Sequence, residues 1–272
     1  MKNWQSAGLL ALALGFGGLT GAAHAQQSLT VYCSVQEEWC RPMAEQFEKE
    51  TGIKVSMTRK SSGETYAQIK AEASNPKGDI WWGGTGDPHM QAAEEGLTEA
   101  YESPMLAQMQ DWSVRQWKQT KGRTIGIYSG ALGFAYNTKI LAQKNLPEPK
   151  FKDEVQVADP NSSGTSYTML ATLVQIMGED KAFDYMKALH KNINQYTKSG
   201  AAPAKATSLG ETTIGIAFLH DHVTMIVDGA PMKAVAPCEG TGFEIGSMSI
   251  IKGAKNLENA KKWYDWALTS KA

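Results

Sequence analysis

The sequence predicts an α/β protein whose chain builds one lobe, crosses to a second and returns to the first. Three observations carry this reading. Short apolar runs alternate with amphipathic stretches from Ser28 to Gly84, the same alternation restarts at Val155, and extended segments near residues 130 and 238 join the two sets. The expected division is residues 26–130 and 238–272 in lobe 1 and residues 131–237 in lobe 2.

Taken in order, Ser28–Val35 (SLTVYCSV) reads as a buried strand. In the segment from Glu37 to Thr51 the apolar residues Trp39, Met43 and Phe47 recur every fourth position among charges, an amphipathic helix that Gly52 ends. Gly52–Arg59 returns as a strand, and Ser61–Ala73 opens a helix that Ser61 or Ser62 can cap. Gly78–Gly84 is a third strand running into a glycine-rich turn. Strand and helix in alternation is the mark of a parallel sheet covered by helices. Arg123–Leu141 holds two extended stretches joined through Ser129-Gly130, with Asn137 opening a helix. The second set comprises strand Val155–Ala158, loop Asp159–Ser163 and a helix, then strand Ile214–Ala217 with a helix or turn behind it. Pro231–Asn256 supplies two more strands before the amphipathic helix Leu257–Thr269.

The first residues point to export. Lys2, the apolar run Gly8–Leu19 and Ala23-His24-Ala25 are the parts of a secretory signal peptide, with cleavage expected after Ala25. The run is too short for a membrane span, which needs roughly 20 residues. Losing Lys2 with this segment takes the formal charge from −1 to −2. That balance gives no reason to expect nucleic acid or an anionic membrane as partner; we expect a monomer in the periplasm. Cys33 and Cys40 are placed for a short disulfide loop in an oxidising compartment, which leaves Cys238 unpaired.

Ligands of open parallel sheets sit at the carboxyl ends of strands, where helix N-termini present free N–H groups. Hydroxyls and glycines recur at these ends: Ser34 after the first strand, Ser61-Ser62-Gly63 after the second, Gly83 to Asp87 with Thr85 after the third, and Ser163-Gly164-Thr165 in the second lobe. Together they describe a crevice of neutral donors suited to an oxyanion such as phosphate. Arg59 and Lys60 are near, although basic residues after a strand are more often solvated. Alternation sends Trp81 and Trp82 to opposite faces, so at most one lines the crevice.

LTVYCSVQEEWCRPMAEQFEKETGIKV, GDIWWGGTGDP, GALGFAYNTKIL, DPNSSGTSYTML and GFEIGSMSIIKGAKN resemble the substrate-binding proteins of bacterial ABC importers. More narrowly, they resemble the branch that contains ferric-ion, phosphonate and hexose-phosphate binders. The resemblance implies a type II periplasmic-binding-protein fold that hinges closed on a small anionic ligand and presents it to an inner-membrane ABC permease, with no enzymatic activity and no cofactor. Two departures stand out. Relatives carry about ten further residues with a Trp-x-Asp-Leu element where Lys150 here meets Phe151, and they continue past Ala272. The further helices are expected to pack on lobe 1.

His220-Asp221-His222 admits three uses. As metal ligands, an H-x-H pair on a strand would share a face, but the adjacent tyrosines of ferric binders are absent. As a catalytic pair, His220 and Asp221 lack a Gly-x-Ser-x-Gly elbow or His-Glu-x-x-His motif nearby. As a polar grip, carboxylate and imidazole take neighbouring sugar hydroxyls. The resemblance to hexose-phosphate binders implies this last role for His220 and Asp221, with Glu244 as third partner or, second, Glu239. His222 would then only pack or cap. Ser34, Ser62, Thr85, Ser163, Gly164 and Thr165 would hold the phosphate. The alternatives on the same fold are ferric iron or another metal, or a phosphonate such as 2-aminoethylphosphonate.

Overall fold

The computed structural model describes residues 28–145 and 154–270. The signal segment and the 150/151 junction lie outside them. The described chain forms ten α-helices and ten strands, numbered in chain order, and the strands make one continuous sheet of order β2-β1-β3-β10-β5-β8-β6-β7, with β4 on β10 and β9 on β5.

Strands β1 (Ser28–Cys33), β2 (Lys54–Arg59) and β3 (Ile80–Thr85) are parallel neighbours connected by helices α1 (Glu37–Thr51) and α2 (Ser62–Ala71). Alternation divides their side chains between two layers. Val31, Cys33 and Trp82 face a core with Phe47 of α1 and Trp263 and Trp266 of the terminal helix α10 (Leu257–Ala267). Tyr32 and Trp81 face Ile69 of α2 and Ala92 of α3 (Gly86–Glu94). Trp81 and Trp82 thus do point to opposite faces, and both are core residues: Trp81 stacks on buried His89 and neither lines the crevice. Burying aromatic rings of this size contributes on the order of 2 kcal/mol each.

Two long antiparallel strands carry the sheet across. After the short β4 (Thr98–Glu99) and α4 (Asp111–Gln119), β5 runs unbroken from Ile125 to Asn137 where sequence patterning gave two pieces. Its residues up to Ala131 pair with β10 (Phe243–Ile251), and from Leu132 they pair with β8 (Ile214–Phe218). Asn137 opens α5 (Thr138–Gln143) by accepting the N–H groups of Lys139 and Ile140. The second lobe adds β6 (Val155–Ala158), α6 (Gly164–Met177), α7 (Glu179–His190), β7 (Ile193–Thr197), α8 (Ala202–Leu209), α9 (Leu219–Val227) and β9 (Met232–Val235). Cys33 and Cys40 are joined as a disulfide, tying the end of β1 to the first turn of α1; Cys238 is free and exposed.

Candidate functional site

Because β1, β2 and β3 are parallel, their carboxyl ends lie along one edge, and the helices that follow start there. The same holds for β6 and β8 in the other lobe. The cleft where these edges meet is lined from six helix starts: Gln36 before α1, Ser61 and Ser62 of α2, Thr85 before α3, Ser163 to Thr165 of α6, Ala201 before α8, and His220 and Asp221 of α9. Arg59, Gly84, Tyr128, Phe218 and Glu244 complete most of the wall. Helix N-termini carry unpaired N–H groups and partial positive charge, so their convergence favours an anion.

Local packing fixes the hydroxyls. Ser34 Oγ accepts the Trp81 indole N–H at 2.9 Å and lies 3.0 Å from Thr65 Oγ1. Ser62 Oγ accepts the Thr85 backbone N–H at 3.2 Å. Thr85 Oγ1 is buried without a hydrogen-bond partner and faces Gly164 from the opposite lobe. A Cβ at Gly164 would lie 2.7 Å from Thr85 Cβ, so only glycine lets α6 start this close. An unpaired buried hydroxyl costs about 1–3 kcal/mol, which an acceptor brought in by a ligand would offset.

The cleft wall also carries acidic and aromatic groups. Asp221 is almost fully buried, its Oδ1 has no hydrogen-bond partner, and His220 Nε2 lies 3.7 Å from that oxygen. Burial pushes the Asp221 carboxyl up to about 7, opposed by a backbone hydrogen bond from Phe218 and the charge of Arg59. Burial, then the charges of Asp221 and Asp87, holds Glu244 well above the usual carboxylate range. Burial lowers His220, whose ring stacks on Phe218. The cleft therefore carries less negative charge at neutral pH than its two carboxyl groups would give in water.

Nine of the ten predicted site residues line this cleft: Ser34, Ser62, Thr85, Ser163, Gly164, Thr165, His220, Asp221 and Glu244. Glu239, the second choice for the glutamate, is not among the lining residues. It is exposed in the turn ahead of β10, where its carboxylate accepts the Cys238 thiol at 3.3 Å. The His220/His222 geometry also differs from a strand. β8 ends at Phe218, and on α9 successive residues rotate by roughly 100°, so His222 turns into the lobe with both ring nitrogens unpartnered. Burial lowers it to about 4. Among the described residues no three His, Cys, Asp or Glu side chains converge as a metal site.

Sequence reasoning passed over Tyr128, whose hydroxyl accepts the Gly84 N–H at 2.9 Å and whose ring meets Trp39 edge-on. Its place in the middle of a strand read as two pieces gave no signal. Gly200 and Ala201 were missed because β7 and α8 show little periodicity.

This arrangement, one sheet shared by two lobes with a polar cleft between them, matches the type II periplasmic binding proteins. The chain belongs to the bacterial extracellular solute-binding proteins, whose family pattern matches residues 75–272. It is similar to the solved structure of the periplasmic binding protein AfuA from Actinobacillus pleuropneumoniae with exogenous fructose-6-phosphate bound. Identity is 46%, TM-score 0.85, and the match covers 91% of this chain and 81% of that one. The structure of the periplasmic binding protein P5PA matches at 40% identity and TM-score 0.85, over 90% and 81% of the two chains. An uncharacterised protein of Haemophilus influenzae is 46% identical over 97% of this chain and 78% of its own length. The chain is a solute-binding component of an ABC importer and not an enzyme.

Proposed function

We propose that this protein binds a phosphorylated small molecule, a hexose phosphate, between its lobes in the periplasm and delivers it to an inner-membrane permease. The observation that carries the reading is the make-up of the cleft wall, which combines helix starts and neutral hydroxyls with the polar side chains of Asp221, His220 and Glu244. Phosphate oxygens accept from N–H groups, Thr85 and the serines. Asp221 accepts from sugar hydroxyls, and a protonated Glu244 donates to a sugar oxygen. A guest without hydroxyls leaves these groups buried and unpaired. The fructose-6-phosphate named for the AfuA structure supports the same class of guest. A phosphonate satisfies only the hydroxyls and N–H groups, and among the described residues a ferric ion finds neither adjacent phenolates nor convergent histidines.

Calorimetry against fructose 6-phosphate, glucose 6-phosphate, glucose and inorganic phosphate tests this. The expected result is binding of the sugar phosphates at least 100-fold tighter than of either fragment, about 2.7 kcal/mol. Tighter binding of glucose alone, or no binding of any of the four, overturns it.

A further inference from the structure

Arg59 ends β2 at the rim of the cleft, and its neighbour Lys60 is exposed. Arg59 is half-buried and its guanidinium is held between the lobes. Nε donates to Val35 O at 3.0 Å within lobe 1, and Nη2 donates to Ser199 Oγ of lobe 2 at 2.8 Å. The rest of the turn follows it across: Ser61 Oγ donates to Lys198 O at 2.8 Å and Gly63 N to Ser162 O at 3.1 Å. A Cβ at Gly63 would stand 2.8 Å from Asn161 O, so this turn meets lobe 2 backbone to backbone.

Arg59 is the only Lys or Arg among the described residues that line the cleft, and no carboxylate comes within salt-bridge distance of it among those residues. Glu64, Asp221 and Glu38 act on it only at longer range, and burial lowers its pKa despite them. A permanent cation carried into a closed cleft without a partner is costly. The interlobe contacts bring Arg59 into that position each time the lobes close. A guanidinium has five N–H donors, and Val35 and Ser199 occupy two of its nitrogens.

We infer that Arg59 is the group that selects a charged guest over its neutral analogue, by making lobe closure depend on an anion in the cleft. The inference rests on the reading of the cleft as an oxyanion site and adds the origin of its selectivity. Closing over a neutral sugar would leave the Arg59 charge partly desolvated and without an ionic partner, whereas a phosphate supplies acceptors for its remaining N–H groups. The Ser199 bond is the link to closure and does not itself sense charge.

The test measures affinity of the full mature chain for fructose 6-phosphate, inorganic phosphate, 2-aminoethylphosphonate and unphosphorylated fructose. It uses wild type, Arg59→Gln, Arg59→Lys and Ser199→Ala, with small-angle scattering to report closure. Arg59→Gln should lose about 10- to 100-fold more affinity for every anion than it loses for fructose, the scale of a charge-assisted hydrogen bond. Arg59→Lys should recover part of the loss. Ser199→Ala should weaken all guests by a similar factor and leave their ratio unchanged. An Arg59→Gln protein that folds, by thermal melt, and keeps the wild-type ratio of anion to neutral affinity refutes the role of Arg59. If wild type binds phosphate or phosphonate but no sugar phosphate, the hexose-phosphate reading fails while the Arg59 comparison still decides on the other anions.

Discussion

Gly164→Ala separates closure from folding. The added methyl would fall 2.7 Å from Thr85 Cβ and 2.8 Å from its Cγ2, and would overlap Oγ1. Rotating the threonine moves Oγ1 and Cγ2 and leaves Cβ in place. The start of α6 must then retreat from lobe 1 by most of an ångström to reach an ordinary carbon contact of about 3.5 Å. Overpacking of this kind costs roughly 1–3 kcal/mol. Here the cost falls on the closed state alone, because the clash is between lobes. The competent fraction, and with it the apparent affinity, should fall about 5- to 150-fold. In the open state the methyl meets no lobe 1 atom, and alanine favours a helix over glycine by up to about 1 kcal/mol. The variant should therefore melt at or slightly above the wild-type temperature without ligand, bind fructose 6-phosphate weakly by calorimetry, and stay extended in scattering at ligand concentrations that compact the wild type. Unchanged affinity, or a lowered melting temperature matching the affinity loss, would refute the reasoning.

Asp221→Asn should change how stability depends on pH. Burial raises the Asp221 carboxyl from its ordinary value of 3.8 to about 7. The folded state therefore holds a proton that the unfolded chain releases, and stability falls as pH rises between about 4 and 7. His222, lowered to about 4, acts in the opposite sense over about 4 to 6.5, so the variant-minus-wild-type difference in urea unfolding is the quantity to follow. That difference should grow in favour of the variant by up to about 4 kcal/mol across this window; a flat difference rules out a buried, ionisable Asp221. Asp221→Ala should abolish sugar phosphate binding while circular dichroism shows the fold kept, since the carboxylate has no structural ion pair beyond the loose contact with His220. Replacing Cys33 and Cys40 together by serine removes a link that spans seven positions. It should cost about 2.5 kcal/mol of unfolding free energy, measured by urea titration under non-reducing conditions, and an unchanged midpoint would show that the link does not constrain the unfolded chain.

The residues that the sequence brought together were those whose position follows from topology. In a parallel sheet the residue after each strand is bound to lie on the edge where the next helix starts, so Ser34, Ser62, Thr85 and Ser163 could be placed without coordinates. Glu244 and Glu239 could not be separated in this way. They stand five positions apart around a turn, and only the pairing of Glu244 with Gly130 across β5 and β10 shows which one enters the cleft. His222 was ambiguous for a related reason, because the end of β8 at Phe218 decides whether an H-x-H pair converges or diverges. Arg59 was legible as a basic residue after a strand, a type more often solvated. Its burial comes from contacts with Ser199, 140 positions away in the chain, which no local pattern records.

The most direct test of the central claim is a crystal structure of the protein with fructose 6-phosphate. The phosphate should accept hydrogen bonds from Thr85 Oγ1 and the first N–H groups of α6, with sugar hydroxyls on Asp221. A phosphate placed beside Asp221 and Glu244, or a guest outside the cleft, would contradict the account.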